Sequence, residues 1–324
     1  TITPERAWWD VTFYDLHVKL DPADSTIRGW NGITYRVTGK SRAMQIDLQE
    51  PLAIDSVVQD GRKVTYRRDG NAFFLALSGQ RVGTTRTVTI YYSGRPRVAE
   101  RPPWDGGLIW ARDTEGHPWI ATACQGTGAS IWWPTKDTQA DEPDSQRVAL
   151  TVPDSLRAVA NGRLRGIEEG PAGWATYEWF VTSPINNYDV AASVGDYAHF
   201  DDAYEGEGGR LTMDFWPIAS NLEAARVQWE QARPMLQCFE HWYGPYPWYR
   251  DGYKIVESPH LGMEHQSAVA YGNGYANGYK GTDLSGTGWG LAWDFIVIHE
   301  SAHEWFGNSI TTVDIADMWV HEGF

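Results

Sequence analysis

The chain reads as an α+β protein, a largely antiparallel β region followed by a region richer in helix. Three observations lead there. Apolar residues recur at every second position from residue 10 to about 197. After about residue 220 they recur at helical spacing instead. Between the two regimes, Asp201 to Gly209 is acidic and glycine-rich, which marks a boundary. A length of 324 residues suits about two domains, so the expected division is 1–200 and 201–324.

The β region is carried by Tyr14, Leu16, Val18 and Leu20, by Ile33, Tyr35 and Val37, and by Val88, Ile90 and Tyr92, each set alternating with polar neighbours. Turn signals stand at Asp69-Gly70, Ser93-Gly94 and Asn161-Gly162. Past the boundary, Ser220 is the expected cap of a helix with Leu222, Ala225, Trp229 and Ala232 on one side. Pro234 should kink or divide that helix before Leu236, Phe239 and Tyr243, because proline lacks the N–H a helix interior needs. Seven glycines between Gly272 and Gly290 describe a mobile surface loop, with a lid at a cleft edge as the less favoured reading. The chain then turns apolar at Leu291, Trp293, Phe295, Ile296, Ile298, Ala302 and Phe306, the pattern of a largely buried helix.

Composition excludes several function classes. A formal charge of −15 argues against a nucleic-acid or anionic-membrane partner, and solubility explains it simply. Eighteen tryptophans and sixteen tyrosines are mostly core or groove packing. No apolar stretch is long enough for a membrane span. Cys124 and Cys238 form no C-x-x-C pattern, so metal binding through sulfur is not expected; a single disulfide is compatible with the sequence. The first residues have no signal-peptide core and no start methionine. The location stays unknown, with a soluble protein exported after leader removal preferred over a cytoplasmic one.

The chemistry concentrates near the end. On a helix, His299 and His303 lie one turn apart on one face, so both imidazoles can reach one ion. Glu300 points beside that pair, where a carboxylate can act as general base on water. An H-E-x-x-H run can also be two histidines satisfied inside an ordinary helix. Here Glu322 follows, with eighteen residues between it and His303, on a short helix expected to be capped by Asp314 or Asp317. Two histidines and one carboxylate leave a fourth tetrahedral position open, the composition of a catalytic zinc site holding one ion per chain. Asp317 is also a candidate partner for the second nitrogen of a ligand histidine.

The run His299-Glu300-Ser301-Ala302-His303-Glu304-Trp305-Phe306-Gly307-Asn308, followed by His321-Glu322-Gly323-Phe324, resembles the signature of the aminopeptidase N family of zinc metallopeptidases. These are gluzincins, and leukotriene epoxide hydrolase is among them. Leu261-Gly262-Met263-Glu264-His265 resembles the family's G-x-M-E-N motif, with His265 in place of the asparagine. Cys124-Gln125, Trp133-Pro134 and Lys136-Asp137 resemble the segment that joins the substrate-amine site. Tyr243-Gly244-Pro245-Tyr246-Pro247 resembles the stretch closing the first helix of the catalytic domain. The resemblance runs from about residue 120 to the end.

The resemblance implies a saddle- or sandwich-like β domain followed by the first part of a thermolysin-like α/β catalytic domain. It implies zinc, peptide substrates with a free N-terminus, and a substrate site built from Gln125, Gly262, Met263, Glu264 and His265. It also implies two unpaired thiols. A fixed carboxylate such as Glu264 suits the task, since its charge-assisted hydrogen bond to an ammonium is worth about 1.5–3 kcal/mol and vanishes for blocked N-termini. Gln125 is a neutral second acceptor, and Gly262 permits close backbone approach. His265 could hydrogen-bond as asparagine does, or gain charge and weaken ammonium binding. Relatives continue through a helical half that includes a tyrosine stabilising the transition state, so that part is expected to be needed for activity. An endopeptidase, an epoxide hydrolase and a non-catalytic scaffold remain as alternatives.

Overall fold

In the computed structural model, residues 2–40, 42–171 and 173–323 are described. Trp9–Asp21 is the spine of the first half, paired antiparallel to Thr26–Val37 and parallel to Ser145–Pro153. Its buried residues change parity, Trp9 and Val11 on one count and Tyr14, Leu16, Val18 and Leu20 on the next. A register shift between Val11 and Phe13 is the cause: one extra residue in the ladder returns the apolar side chains to the core face.

Eight strands form this sheet among the described residues, in the order Arg163–Glu169, Trp174–Val181, Ser145–Pro153, Trp9–Asp21, Thr26–Val37, Thr85–Gly94, Ala53–Gln59, Arg62–Lys63. All its neighbours are antiparallel except the pair Trp9–Asp21 and Ser145–Pro153. The break expected at Ser93-Gly94 falls differently, since both residues close the strand Thr85–Gly94. A four-stranded sheet covers Gly107–Arg112, Pro118–Ala123, Ser193–Gly195 and Arg157–Val159. It delivers Cys124 and Gln125 from the end of one strand.

From Phe200 a mixed five-stranded sheet takes over, in the order Phe200–Gly206, Gly209–Trp216, Tyr253–Glu257, Val269–Tyr271, Gly262–Met263. The acidic stretch at Asp201 to Gly209 is therefore a hairpin of this sheet. Division into units at residue 200 remains a proposal. In its favour, one apolar cluster draws its members only from Tyr204 onward. The other runs from Trp8 but also takes in Trp216, Val256, Met263 and Ala270.

The helical run differs in detail from its sequence pattern. Helix Leu222–Gln228 follows a short 3-10 turn at Ala219–Asn221, so Ser220 is not its cap. The break comes at Trp229–Gln231, before helix Ala232–Tyr243. Pro234 sits in the first turn of that second helix, where the missing N–H would have had no partner. Gly244 ends it at a φ of 89°, a conformation that favours glycine. Cys124 is buried and Cys238 exposed, and both are free thiols. Among the described residues, no helix is long and apolar enough to cross a membrane.

Candidate metal centre and active-site cavity

The helix Phe295–Ala302 begins where it does because Asp294 caps it, accepting hydrogen bonds from the backbone N–H of Ile296 and Val297. The same carboxylate accepts from Tyr271 Oη at 2.7 Å and Asn273 Nδ2 at 2.8 Å, which ties the helix to the strand and loop beside it. Ile296 and Val297 are buried under Val269 and Tyr271. Ser301 Oγ shares a 2.7 Å hydrogen bond with Tyr253 Oη beneath. The helix cannot rotate without breaking these contacts, so the direction of His299 and Glu300 is fixed.

His299 and His303 bring their Nε2 atoms to 3.4 Å of one another, and Glu322 Oε2 lies 3.8 Å from each. Zinc–ligand bonds of about 2.0–2.1 Å in a tetrahedron require donor atoms about 3.3 Å apart, so this donor set fits zinc with little movement. His303 Nδ1 donates to the Phe306 carbonyl at 3.0 Å, which leaves Nε2 as the free lone pair. His299 stacks on Phe295, with ring centroids 5.3 Å apart and planes 19° from parallel. Burial and the neighbouring His303 ring push its pKa down to about 4, which keeps it neutral as a ligand must be.

Glu322 sits on the short helix Trp319–Glu322, preceded by a 3-10 turn that Asp314 caps through Ala316 N–H. His321 Nε2 accepts from Thr312 N–H at 3.0 Å, so this buried imidazole holds the segment in place. Asp317 ends the 3-10 turn, exposed. It neither caps the helix nor partners His303, whose second nitrogen is satisfied by Phe306. Phe324, last residue of the motif, lies outside the described residues.

The second carboxylate group faces this one. The edge strand Gly262–Met263 carries the chain to Glu264, which is buried. Gln125 donates from Nε2 to Glu264 Oε1 at 2.6 Å and to Glu322 Oε1 at 3.3 Å, bridging the two groups. Ligand atoms of Glu264, Glu300 and His303 lie within 4.8 Å of one another. A Cβ on Gly262 would come within 2.4 Å of Glu300 Oε1, so glycine there leaves the carboxylate its place. Burial first, then the Glu264 and Glu322 charges, raise the Glu300 pKa well above the usual carboxylate value. Burial raises that of Glu264 as well.

Gln125, Gly262, Met263, Glu264, His299, Glu300, His303 and Glu322 all line one cavity of about 330 Å³. His265 does not line it. Its ring is fully buried, neither nitrogen has a hydrogen-bond partner among the described residues, and burial pushes its pKa down to about 3. It therefore stays neutral and adds no positive charge beside Glu264. Sequence reasoning also missed residues that matter here. Tyr279, from the glycine-rich loop, and Trp104, from the first half, both line the cavity. Glu304 is fully buried, accepting from Tyr246 Oη, Ser267 N–H and Asn308 Nδ2, while Asn308 Nδ2 also donates to the Glu264 carbonyl. Their only sequence signal is the run His303-Glu304-Trp305-Phe306-Gly307-Asn308 itself.

No family model matches the chain. Leukotriene A-4 hydrolase of Xenopus laevis is 26% identical over 338 residues, covering 99% of this chain and 51% of that protein. Aminopeptidase B of Rattus norvegicus is 27% identical across 70% of this chain and 32% of its own length. The chain thus spans about half the length, or less, of these curated relatives. Among solved structures, an M1 zinc metallopeptidase from Deinococcus radiodurans superposes with a TM-score of 0.82 at 22% identity, covering 98% of this chain and 69% of that one. Native yeast LTA4 hydrolase superposes at 0.74 and 20% identity over 98% of this chain and 47% of that one. The fold is thus shared across nearly every residue, and the sequence relatives of the same kind support a likeness to the N-terminal portion of the aminopeptidase N family of zinc metallopeptidases.

Proposed function

We propose that this protein is a zinc-dependent aminopeptidase that removes the N-terminal residue of peptides. The observation that carries the reading is the meeting of two groups in one cavity. One is the set His299, His303 and Glu322, spaced for a tetrahedral ion. The other is the buried Glu264 with the half-buried Gln125 hydrogen-bonded to it. The relatives named as aminopeptidases and zinc metallopeptidases support it.

Held by His299, His303 and Glu322, zinc would supply Lewis acidity, polarising a scissile carbonyl and acidifying water. The chain's own residues do the rest. Glu300, with its pKa raised, takes a proton from the attacking water and returns it to the departing amine. Glu264 accepts hydrogen bonds from the substrate ammonium, and the Gln125 carbonyl oxygen is placed to accept another. This fixes the distance from the N-terminus to the bond that breaks, so only the first peptide bond reaches the base. His265 supports the Glu264 loop from the core and touches no substrate. An epoxide hydrolase on the same residues is the second reading, favoured by the likeness to the relative named leukotriene A-4 hydrolase.

Because the chain matches about half of its relatives' length, we include in the proposal that full turnover needs further polypeptide. A missing oxyanion donor commonly costs about a hundred- to a thousand-fold. The test is hydrolysis of a leucyl chromogenic amide against its N-acetyl form, with Glu264→Ala beside the wild type. The free-amine form should be preferred by the wild type, and Glu264→Ala should erase about ten- to a hundred-fold of that preference. Equal rates on both substrates by the wild type would overturn the aminopeptidase reading.

A further inference from the structure

One feature of the cavity comes from far away in the chain. The loop from Arg101 to Gly107 leads into the four-stranded sheet and presents Trp104 at the cavity wall with 68% of its surface exposed. An indole so exposed is held there by a rigid frame. Asp105 Oδ2 accepts from the backbone N–H of Arg101 at 2.9 Å and from that of Glu100. Trp104 N–H donates to the Arg101 carbonyl at 3.0 Å. Gly106, at a φ of 64°, packs so closely on Thr127 that a Cβ would come within 1.9 Å of its Oγ1. The loop is thereby keyed to the segment that carries Gln125.

We infer that Trp104 sets the side-chain preference of the first substrate residue, selecting large apolar and aromatic side chains. The inference rests on the aminopeptidase reading and adds the substrate class to it. A cavity of about 330 Å³ suits one residue. Its carboxylates are already engaged under that reading: Glu264 by the ammonium, Glu300 by water, Glu322 by the metal. Among the described residues, no lysine or arginine lines it. Among the described residues, what remains for the side chain of the bound residue is an apolar and aromatic lining that includes Pro103, Trp104, Tyr279 and Phe295. Aromatic rings favour stacked or edge contacts with apolar and aromatic groups, and a guanidinium finds no free carboxylate to pair with.

Four amino acids, each a stable product-like ligand, test this by calorimetric titration of the zinc-loaded protein: L-phenylalanine, L-leucine, L-alanine and L-arginine. N-acetyl-L-phenylalanine is the control. Trp104→Ala should weaken L-phenylalanine and L-leucine about tenfold and L-alanine less than about twofold. Trp104→Phe should restore most of the loss. The thermal midpoint of both variants should match the wild type, since the indole is mostly exposed. Equal weakening of L-alanine and L-phenylalanine, or no weakening of either, overturns the inference. So does a larger loss for L-arginine than for L-phenylalanine. Failure of the underlying reading looks different: the wild type would bind N-acetyl-L-phenylalanine as tightly as L-phenylalanine, whatever Trp104 does.

Discussion

Glu300 and Glu304 lie four residues apart, on the same helix and the turn that follows it, yet they face two unlike regions. Glu300 points into the cavity beside Gly262 and has no hydrogen-bond partner among the described residues. Glu304 points into the interior and is met by Tyr246, Ser267 and Asn308. Burial raises both pKa values, that of Glu304 to about 7. The difference is in the company each keeps. A carboxylate saturated by fixed donors is part of the scaffold, whereas a buried one left without donors beside a cavity is available to take a proton. A perturbed pKa alone does not separate these two cases; the partners do.

The sharpest way to break that comparison is to exchange the two roles. Glu300→Gln should lower turnover by about a hundred- to ten-thousand-fold while the thermal midpoint stays near the wild type, measured by steady-state rates and calorimetry. Glu304→Ala should do the reverse in kind. It strands the donors of Tyr246, Ser267 and Asn308 in the interior, with a loss of about 2–4 kcal/mol in denaturant unfolding. If Glu300→Gln unfolded the protein as readily as Glu304→Ala, the distinction between the two faces would be lost.

A smaller effect sharpens the interior side. Lys254 is buried, donates from Nζ to the Gly162 carbonyl, and feels the charge of Glu304. Burial pushes its pKa down to about 8, against about 10.4 in an unfolded chain. Between those values the unfolded chain binds more protons, so stability should rise with pH. Below about pH 8 both states are charged and the burial penalty is fully felt. From pH 7.5 to 9.5 the wild type should therefore gain roughly 1–2 kcal/mol relative to Lys254→Met. Parallel pH profiles for the two proteins would show that burial does not disfavour this ammonium.

The parts of the candidate site set by local spacing were legible in the chain as residues that would meet. His299, Glu300 and His303 follow from one turn of helix, and Glu264 and Gln125 from the resemblance of their segments to known motifs. The β alternation of Tyr14 to Leu20 was equally plain, because one face of a sheet is buried. What escaped depends on contacts between distant segments. Trp104 reaches the cavity only because the sheet Gly107–Arg112, Pro118–Ala123 turns back beside Gln125. The bulge after Val11 is invisible without the partner strand. The helix break moved from Pro234 to Trp229–Gln231 because proline costs nothing in a first turn, and no composition rule says which turn is first. Asp317 had two plausible local roles, and tertiary structure gave the cap of the preceding 3-10 turn to Asp314 and the second nitrogen of His303 to the Phe306 carbonyl.

Whether His299, His303 and Glu322 hold one ion is decided by a crystal structure of the zinc-soaked protein, with anomalous scattering recorded at the zinc edge. A single peak should lie about 2.0–2.2 Å from His299 Nε2, His303 Nε2 and a Glu322 carboxylate oxygen, with Glu300 unligated beside it. Zinc on the two imidazoles with Glu322 about 4 Å or more away, or zinc held by Glu300 in its place, would contradict the account.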